Sequence, residues 1–178
     1  MPDRLAGSRR TGILHAAMAS PLETGSAIVQ PEWIDLNGHM NVAYYALAVD
    51  PATDVAFNHV GVGFDDIPRT RHTMFIVDKH LRFHREVALG AAMHFTTQLL
   101  GYDDKRIHFY HRMYDTAAGE VACTVEMLAL HASLATRRVV PFPADALGRL
   151  AEWWEEQKTL AWPEDAGRKQ AVKPGWSS

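Results

Sequence analysis

The chain has 178 residues, enough for one globular domain with a sizeable core, and its 47% hydrophobic and 22% charged residues are close to the average for such domains. A formal net charge of −3, without long runs of like charge, excludes the strongly basic surface of nucleic-acid-binding proteins. No apolar run approaches the roughly 20 residues of a membrane helix, and the single cysteine, Cys123, excludes an internal disulfide, so we expect a cytoplasmic protein without nucleic-acid or membrane partners.

The first elements predicted in chain order are a leader and a strand. Residues 1–24 carry small and polar residues without a period and predict a flexible leader. Residues 26–35 resemble a strand, in which Pro31 must lie at an edge or a bulge because it lacks an N–H. Asn37-Gly38 then predicts a turn.

A long helix is predicted next. Apolar residues recur with helical spacing over residues 42–60, and Asn41 stands where an N-cap is expected. Pro51 interrupts this pattern, so we expect a kink or a restart of the helix near Asp50.

The second half of the chain predicts strands followed by a helix. The predicted strands are Thr73–His84, Ala92–Tyr102, Lys105–Asp115 and Glu120–Ser133, with a short edge piece at Arg138–Phe142. Pro143 is expected to open a C-terminal helix whose apolar face is formed by Leu147, Leu150, Ala151 and Trp154. We therefore expect one domain over residues 25–160 and a flexible tail over residues 161–178.

This order of elements predicts an α+β fold with a long helix packed on an antiparallel sheet of about five strands. One helix covers only one face of such a sheet, so apolar surface is left for another copy of the chain. We therefore expect a homo-oligomer, either a homodimer or a homotetramer.

The segment from Trp33 to Tyr45, Trp-Ile-Asp-Leu-Asn-Gly-His-Met-Asn-Val-Ala-Tyr-Tyr, is the part that indicates chemistry. Asp35 lies at a strand end, Gly38 makes the turn, and a helix starts after Asn41. Unpaired N–H groups at a helix start, here near Val42, can hold the oxyanion that forms when a carbonyl is attacked. Asp35 would then attack as a nucleophile or activate a water as general base.

This segment resembles the Asp-x-x-Gly-His-x-Asn motif of 4-hydroxybenzoyl-CoA-thioesterase-like hot-dog proteins. The resemblance extends over roughly residues 26–142 in element order, and it implies a helix wrapped by an antiparallel sheet with active sites built between two subunits. It further implies an acyl-CoA substrate, Asp35 as the catalytic carboxylate, Gly38 as the turn glycine, and His39 and Asn41 at the positions that follow it.

Within that family, the motif together with Gln98-Leu99-Leu100-Gly101 and Lys105-Arg106-Ile107-His108 is similar to thioesterases of bacterial carnitine catabolism. These convert betainyl-CoA to glycine betaine and CoA. Aromatic rings bind quaternary ammonium groups well, so five aromatic residues become candidates for a cage: Trp33, Tyr44, Tyr45, Phe57 and Phe75. Ordinary core packing is the expected role of most of these rings. Trp33 and one of the two tyrosines, Tyr44 or Tyr45, are favoured as substrate-binding residues because they flank the motif.

Other interpretations of the same residues stay open. Asp35 alone is equally consistent with a turn cap, and His39 is expected to bond at the helix start rather than act as a base. The ten histidines include no His-x-His pair, so we expect no metal ion and no cofactor. Basic side chains at Arg82, Arg85, Lys105 and Arg106 are candidates for CoA phosphates or a solvated edge.

Two other functions fit the same fold. One is a non-catalytic acyl-CoA-binding or assembly module, which would not need the carboxylate of Asp35. The other is a hot-dog dehydratase, which pairs an Asp with a His in a different motif context.

Overall fold

A computed structural model describes residues 19–167; the predicted leader up to residue 18 and the predicted tail from residue 168 lie outside this range. Its strands are β1 (Leu22–Ile28), β2 (His72–Phe83), β3 (Ala92–Tyr102), β4 (Arg106–Asp115), β5 (Glu120–Ser133) and β6 (Arg138–Val139). Its α-helices are α1 (Val42–His59), α2 (Ile67–Thr70) and α3 (Ala144–Gln157). No helix among these combines the length and hydropathy needed to cross a membrane.

All strands join one antiparallel, six-stranded sheet in the order β1-β3-β4-β5-β2, with the short β6 beside β5. α1 packs on one face of this sheet, and Phe57 meets Phe109 of β4 edge to face at 5.6 Å. Within the described chain β2 pairs only with β5, so the outer edge of β2 is open along its length. The α+β prediction is confirmed.

The predicted restart of the helix near Asp50 is wrong, because α1 runs through Pro51 without interruption. Val49, Ala52 and Thr53 are buried on both sides of the proline. Their burial against the sheet offsets the hydrogen bond that a proline removes from a helix. The carbonyl left without its donor belongs to Leu47, whose side chain is on the exposed face of the helix.

The predicted start of the first strand is also wrong. β1 begins at Leu22, inside the predicted leader, and pairs with Thr97 of β3 there. It ends at Ile28, before Pro31, which instead opens a short 3₁₀ turn. A proline lacks the N–H that would continue the ladder, so the chain leaves the sheet at this point.

The buried face of α3 agrees with the predicted one at Leu150, and Leu147 and Trp154 are partly buried against the core, but its other members differ. Ala146, Leu150, Trp153 and Gln157 are buried, whereas Ala151 is exposed. Gln157 replaces an apolar residue because its side-chain oxygen accepts from the N–H of Leu99 at 2.8 Å. A buried polar side chain with such partners leaves no hydropathy signal in the sequence.

Residues 161–167, the first part of the predicted flexible tail, lie on the sheet. We call residues 161–167 the strap. Ala161 accepts from Gln98, Asp165 accepts from Tyr110 and Thr124, and the N–H of Gly167 donates to Glu126 at 2.8 Å. The strap therefore crosses β3, β4 and β5 on the face opposite α1.

Candidate active site

The motif loop between the 3₁₀ turn and α1 is closed by its own backbone. The N–H of Gly38 donates to the carbonyl of Asp35 at 3.0 Å, and the N–H of Asp35 donates to the carbonyl of His39 at 3.1 Å. Gly38 has φ +81°, a left-handed conformation that side chains disfavour. Ile34 and Met40 form a bridge across the loop. The turn thus holds Asp35 directly beside the start of the helix.

The Asp35 carboxylate is held by two donors from the same loop. Its Oδ1 accepts from the backbone N–H of Asn37 at 2.8 Å, and its Oδ2 accepts from the side-chain amide of Asn41 at 3.2 Å. The Asn37 N–H, more than the Asn41 amide, lowers the pKa of Asp35 below its ordinary value. Asp35 is therefore ionised at neutral pH, as a nucleophile or general base must be.

The start of α1 offers a free donor. The side-chain oxygen of Asn41 caps the helix by accepting from the N–H of Ala43 at 3.0 Å, and the Asn41 carbonyl accepts from Tyr44 at 3.0 Å. Among residues 19–167 the N–H of Val42 has no acceptor, as is usual for a first helical position. This N–H is the candidate oxyanion donor that the sequence placed near Val42.

His39 lies beside the loop, and its charge is among the smaller causes that lower the pKa of Asp35. Its Nδ1 is 3.4 Å from the Met40 carbonyl, and its Nε2 is 3.5 Å from the Glu86 carboxylate. The predicted role of His39 as a hydrogen-bonding residue near the helix start is consistent with these contacts.

The five candidate rings lie apart and do not form one cage. Trp33 and Tyr44 stack with ring centroids 5.8 Å apart. Tyr45 points the other way, is almost fully buried and meets Phe83 edge to face at 5.0 Å. Phe57 packs in the core and Phe75 lies near Arg137 at the other end of β2. Successive helical residues diverge by about 100°, which separates Tyr44 from Tyr45.

A cavity of about 250 Å³ adjoins the start of α1. Its lining consists of residues 83–86 together with His39, Met40, Val42 and Tyr45. The N–H of Met40 donates to the carbonyl of Val87 at 2.9 Å, which fixes the motif loop against the segment that follows β2.

Sequence reasoning missed Phe83 and Glu86, both of which line this cavity. They lie more than 40 residues after the motif and join it only through the tertiary fold. No local spacing in the sequence marks them. The signal that could have found them is that residues 84–86 follow a long strand and interrupt its alternation of side chains.

The predicted phosphate-binding cations are each paired within the chain. Arg85 pairs with Glu120, Arg106 with Asp103, Lys105 with Asp104 at 3.6 Å, and Arg82 lies 3.7 Å from Asp165. Their role in binding phosphate stays a prediction.

His80 and His108, on the sheet face opposite α1, lie away from the cavity at the start of α1. Glu126 of β5 is half-buried and accepts from His108 at 2.8 Å. It lines a cavity of about 300 Å³ together with His80 and Gly167 of the strap. Over residues 19–167 no three His, Cys, Asp or Glu side chains converge to hold a metal ion.

Comparison with known proteins places this arrangement in a family. Residues 29–153 match the model of the Thioesterase-like superfamily. The chain is 36% identical over 157 residues to a betainyl-CoA thioesterase of Pseudomonas aeruginosa, covering 88% of this chain and 99% of that protein. It is 35% identical over 155 residues to an L-carnitine dehydrogenase/betainyl-CoA thioesterase of Rhizobium meliloti, covering 87% of this chain and 31% of that longer protein.

Solved structures match the fold of this chain over most of its length. A protein from Staphylococcus aureus in complex with CoA matches with a TM-score of 0.78 at 26% identity, over 86% of this chain and 97% of that one. A putative thioesterase from Pseudomonas putida KT2440 matches with a TM-score of 0.74 at 31% identity, over 86% and 98%. The predicted hot-dog fold and thioester-hydrolase class are confirmed, and the chain belongs to the thioesterase-like superfamily.

Proposed function

We propose that this protein hydrolyses betainyl-CoA to glycine betaine and CoA, with Asp35 as the catalytic carboxylate. The observation that carries the proposal is the position of the Asp35 carboxylate, which accepts from Asn37 and Asn41 at the start of α1, where the Val42 N–H has no acceptor within residues 19–167. These groups supply what thioester hydrolysis requires, an anionic base or nucleophile and a donor for the oxyanion.

The reaction proceeds by attack on the thioester carbonyl, whose oxygen accepts from the Val42 N–H. As general base, Asp35 takes a proton from a water while the water oxygen bonds to the carbonyl carbon. As nucleophile, Asp35 bonds to that carbon itself and water later cleaves the resulting anhydride. In both routes the C–S bond breaks, CoA leaves as a thiolate that takes up a proton, and the acyl group leaves as a carboxylate.

Asn41 and Gly38 have positioning roles in this proposal. Asn41 joins the carboxylate to the helix start, since its amide donates to Asp35 while its oxygen caps Ala43. Gly38 provides the turn geometry. Trp33, Tyr44 and His39 lie around the same loop and stay candidates for contacts with the substrate.

The likeness to betainyl-CoA thioesterases supports the choice of a small cationic acyl group. A cavity of about 250 Å³ is below the range of about 300–1,000 Å³ usual for drug-sized ligands, which favours a short acyl chain. A non-catalytic acyl-CoA-binding module is the alternative, and it has no use for an ionised carboxylate at this position.

We also propose that the protein works in the cytoplasm as a homodimer or homotetramer. Three consecutive β2 residues, Phe75, Ile76 and Val77, are 38%, 38% and 52% exposed. Phe75 and Ile76 are neighbours in the strand and point to opposite faces, while Val77 lies at a shift in register between Ile76 and Asp78, so apolar surface is exposed on both faces beside the open edge. An exposed apolar edge of this length is suited to pairing with a second copy.

The test is a CoA-release assay with betainyl-CoA and with 3,3-dimethylbutyryl-CoA, its uncharged isostere in which carbon replaces the nitrogen. We expect a clearly higher kcat/KM for the cationic substrate. Equal values would refute the betainyl proposal and leave the thioesterase activity standing, whereas no CoA release from any acyl-CoA would favour the binding module.

A further inference from the structure

The geometry points to Phe83, Tyr45 and Glu86 as the residues that recognise the positive charge of the acyl group. This inference rests on the proposed function and assigns the recognition to the cavity beside α1 rather than to the predicted Trp33–Tyr44 pair.

The position of the cavity follows from the length of the substrate. In a betainyl thioester a single methylene group separates the carbonyl carbon from the trimethylammonium nitrogen. If the carbonyl oxygen accepts from the Val42 N–H, the cation must lie within a few ångströms of Val42. Val42 itself lines the cavity of about 250 Å³.

The chemistry of the lining suits such a cation. The rings of Tyr45 and Phe83 meet edge to face at 5.0 Å and both line the cavity. Phe83 is 46% exposed, although it is a large apolar residue at the end of a strand. A trimethylammonium group has no N–H to donate and is weakly hydrated, so aromatic faces bind it well.

Glu86 provides the negative charge. It is the one carboxylate in the lining of this cavity, and within the described chain it contacts His39 at 3.5 Å. The other strong charge in the lining, Arg85, is neutralised by its ion pair with Glu120. The cavity therefore combines aromatic walls with an available carboxylate at its rim.

The Trp33–Tyr44 pair is less suited to this role. The two rings are stacked on one another, so each covers one face of the other. Neither ring lines the cavity next to Val42.

The experiment compares kcat/KM for betainyl-CoA and 3,3-dimethylbutyryl-CoA in Glu86→Gln, Phe83→Leu and the wild type. Both variants should lose about 2- to 30-fold with the cationic substrate, the range expected for one cation–π or similar contact, and change little with the neutral one. Glu155→Gln on α3 removes an equal charge far from the cavity and should leave both substrates unaffected.

The outcomes separate this inference from the proposed function. If the wild type prefers the cationic substrate and both variants retain that preference, the recognition site is wrong and the betainyl proposal stands. Equal losses with both substrates would make Phe83 and Glu86 packing residues. A wild type without any preference for the cation would overturn both. A selective loss in Trp33→Leu, with Glu86→Gln unaffected, would return the site to the Trp33–Tyr44 pair.

Discussion

Asn41 uses both ends of its side-chain amide at the site, since its nitrogen donates to Asp35 and its oxygen caps α1. Asn41→Ala should therefore lower the thermal stability, by about 1 kcal/mol for the lost cap. It should also raise the pKa of Asp35, because one of the donors that lowers that pKa is gone.

The sign of the pH effect follows. Asp35 acts as an anion, so activity falls as the pH drops through its pKa, and a raised pKa moves the acid limb of kcat/KM to higher pH. Asn41→Asp is the matched variant: it keeps an acceptor for Ala43 but adds a second negative charge, which should move the limb further. If the acid limb of kcat/KM stays in place in both variants, the Asn41–Asp35 hydrogen bond does not lower the pKa of Asp35.

His111 gives a second test at this scale. It is fully buried between the hydroxyls of Thr97 at 2.7 Å and Thr53 at 3.2 Å, and burial lowers its pKa to about 3. Below about pH 6.5 the unfolded chain binds a proton there that the folded protein does not, so stability falls as the pH drops.

The expected contribution of His111 is a loss of about 2 kcal/mol between pH 7 and pH 5. Denaturant unfolding at both pH values measures it. His111→Gln, which lacks a titrating group, should be less stable at pH 7 yet show a smaller difference between the two pH values. An unchanged difference would show that another group carries the pH dependence.

At the scale of elements, α1 continues through Pro51 although the proline removes a hydrogen bond to the Leu47 carbonyl. Pro51→Ala should restore that bond and stabilise the protein by roughly 1–3 kcal/mol, seen as a higher Tm. Pro51→Gly, which also restores the N–H but has low helix propensity, should gain less. A lower Tm for Pro51→Ala would contradict this and would show that packing of the Pro51 ring stabilises the protein by more than the lost hydrogen bond costs.

The sequence predicted elements well where a local period carried the signal. β3 and β5 have the predicted bounds, Ala92–Tyr102 and Glu120–Ser133, because alternating runs end there at clear turn signals. The errors occur where tertiary contacts outweigh local preference: Pro51 inside α1, Leu22 in β1, and Gln157 on the buried face of α3.

The site shows the same division between residues predicted from a local pattern and residues joined only by tertiary contacts. Asp35, Asn41 and Val42 are near one another in the chain, so a short motif was sufficient to predict the carboxylate beside a helix start. Glu86 and Phe83 reach the same cavity only through the end of β2, and the direction of each tyrosine depends on the rotation of α1.

At the scale of the whole molecule, the strap ties the C-terminal segment to the sheet through Asp165. Its carboxylate accepts from Tyr110 and Thr124, and Arg82 lies 3.7 Å away. Asp165→Ala should cost about 1.5–3 kcal/mol, typical of hydrogen bonds to a charged group, and should speed hydrogen exchange in the strap. Asp165→Asn, which retains an acceptor oxygen but loses the charge, is the matched variant and should cost less. Unchanged exchange in residues 161–167 would show that the strap is held by its other contacts alone.

The open edge of β2 makes a prediction for assembly. Native mass measurement at micromolar concentration should give a multiple of 19.9 kDa. Val77→Lys places a charge on the exposed apolar edge and should shift the population towards the monomer. A wild type that stays monomeric would contradict the proposed pairing.

The measurement that tests the central claim most directly is CoA release by Asp35→Asn with betainyl-CoA. The amide can still accept from the Asn37 N–H, so the fold and Tm should be retained, but it can neither attack the carbonyl nor take a proton. We predict a loss of at least about a hundredfold in kcat, with Asp104→Asn in an exposed turn as the control that retains activity. Turnover by a folded Asp35→Asn variant close to that of the wild type would contradict the assignment of Asp35 as the catalytic carboxylate.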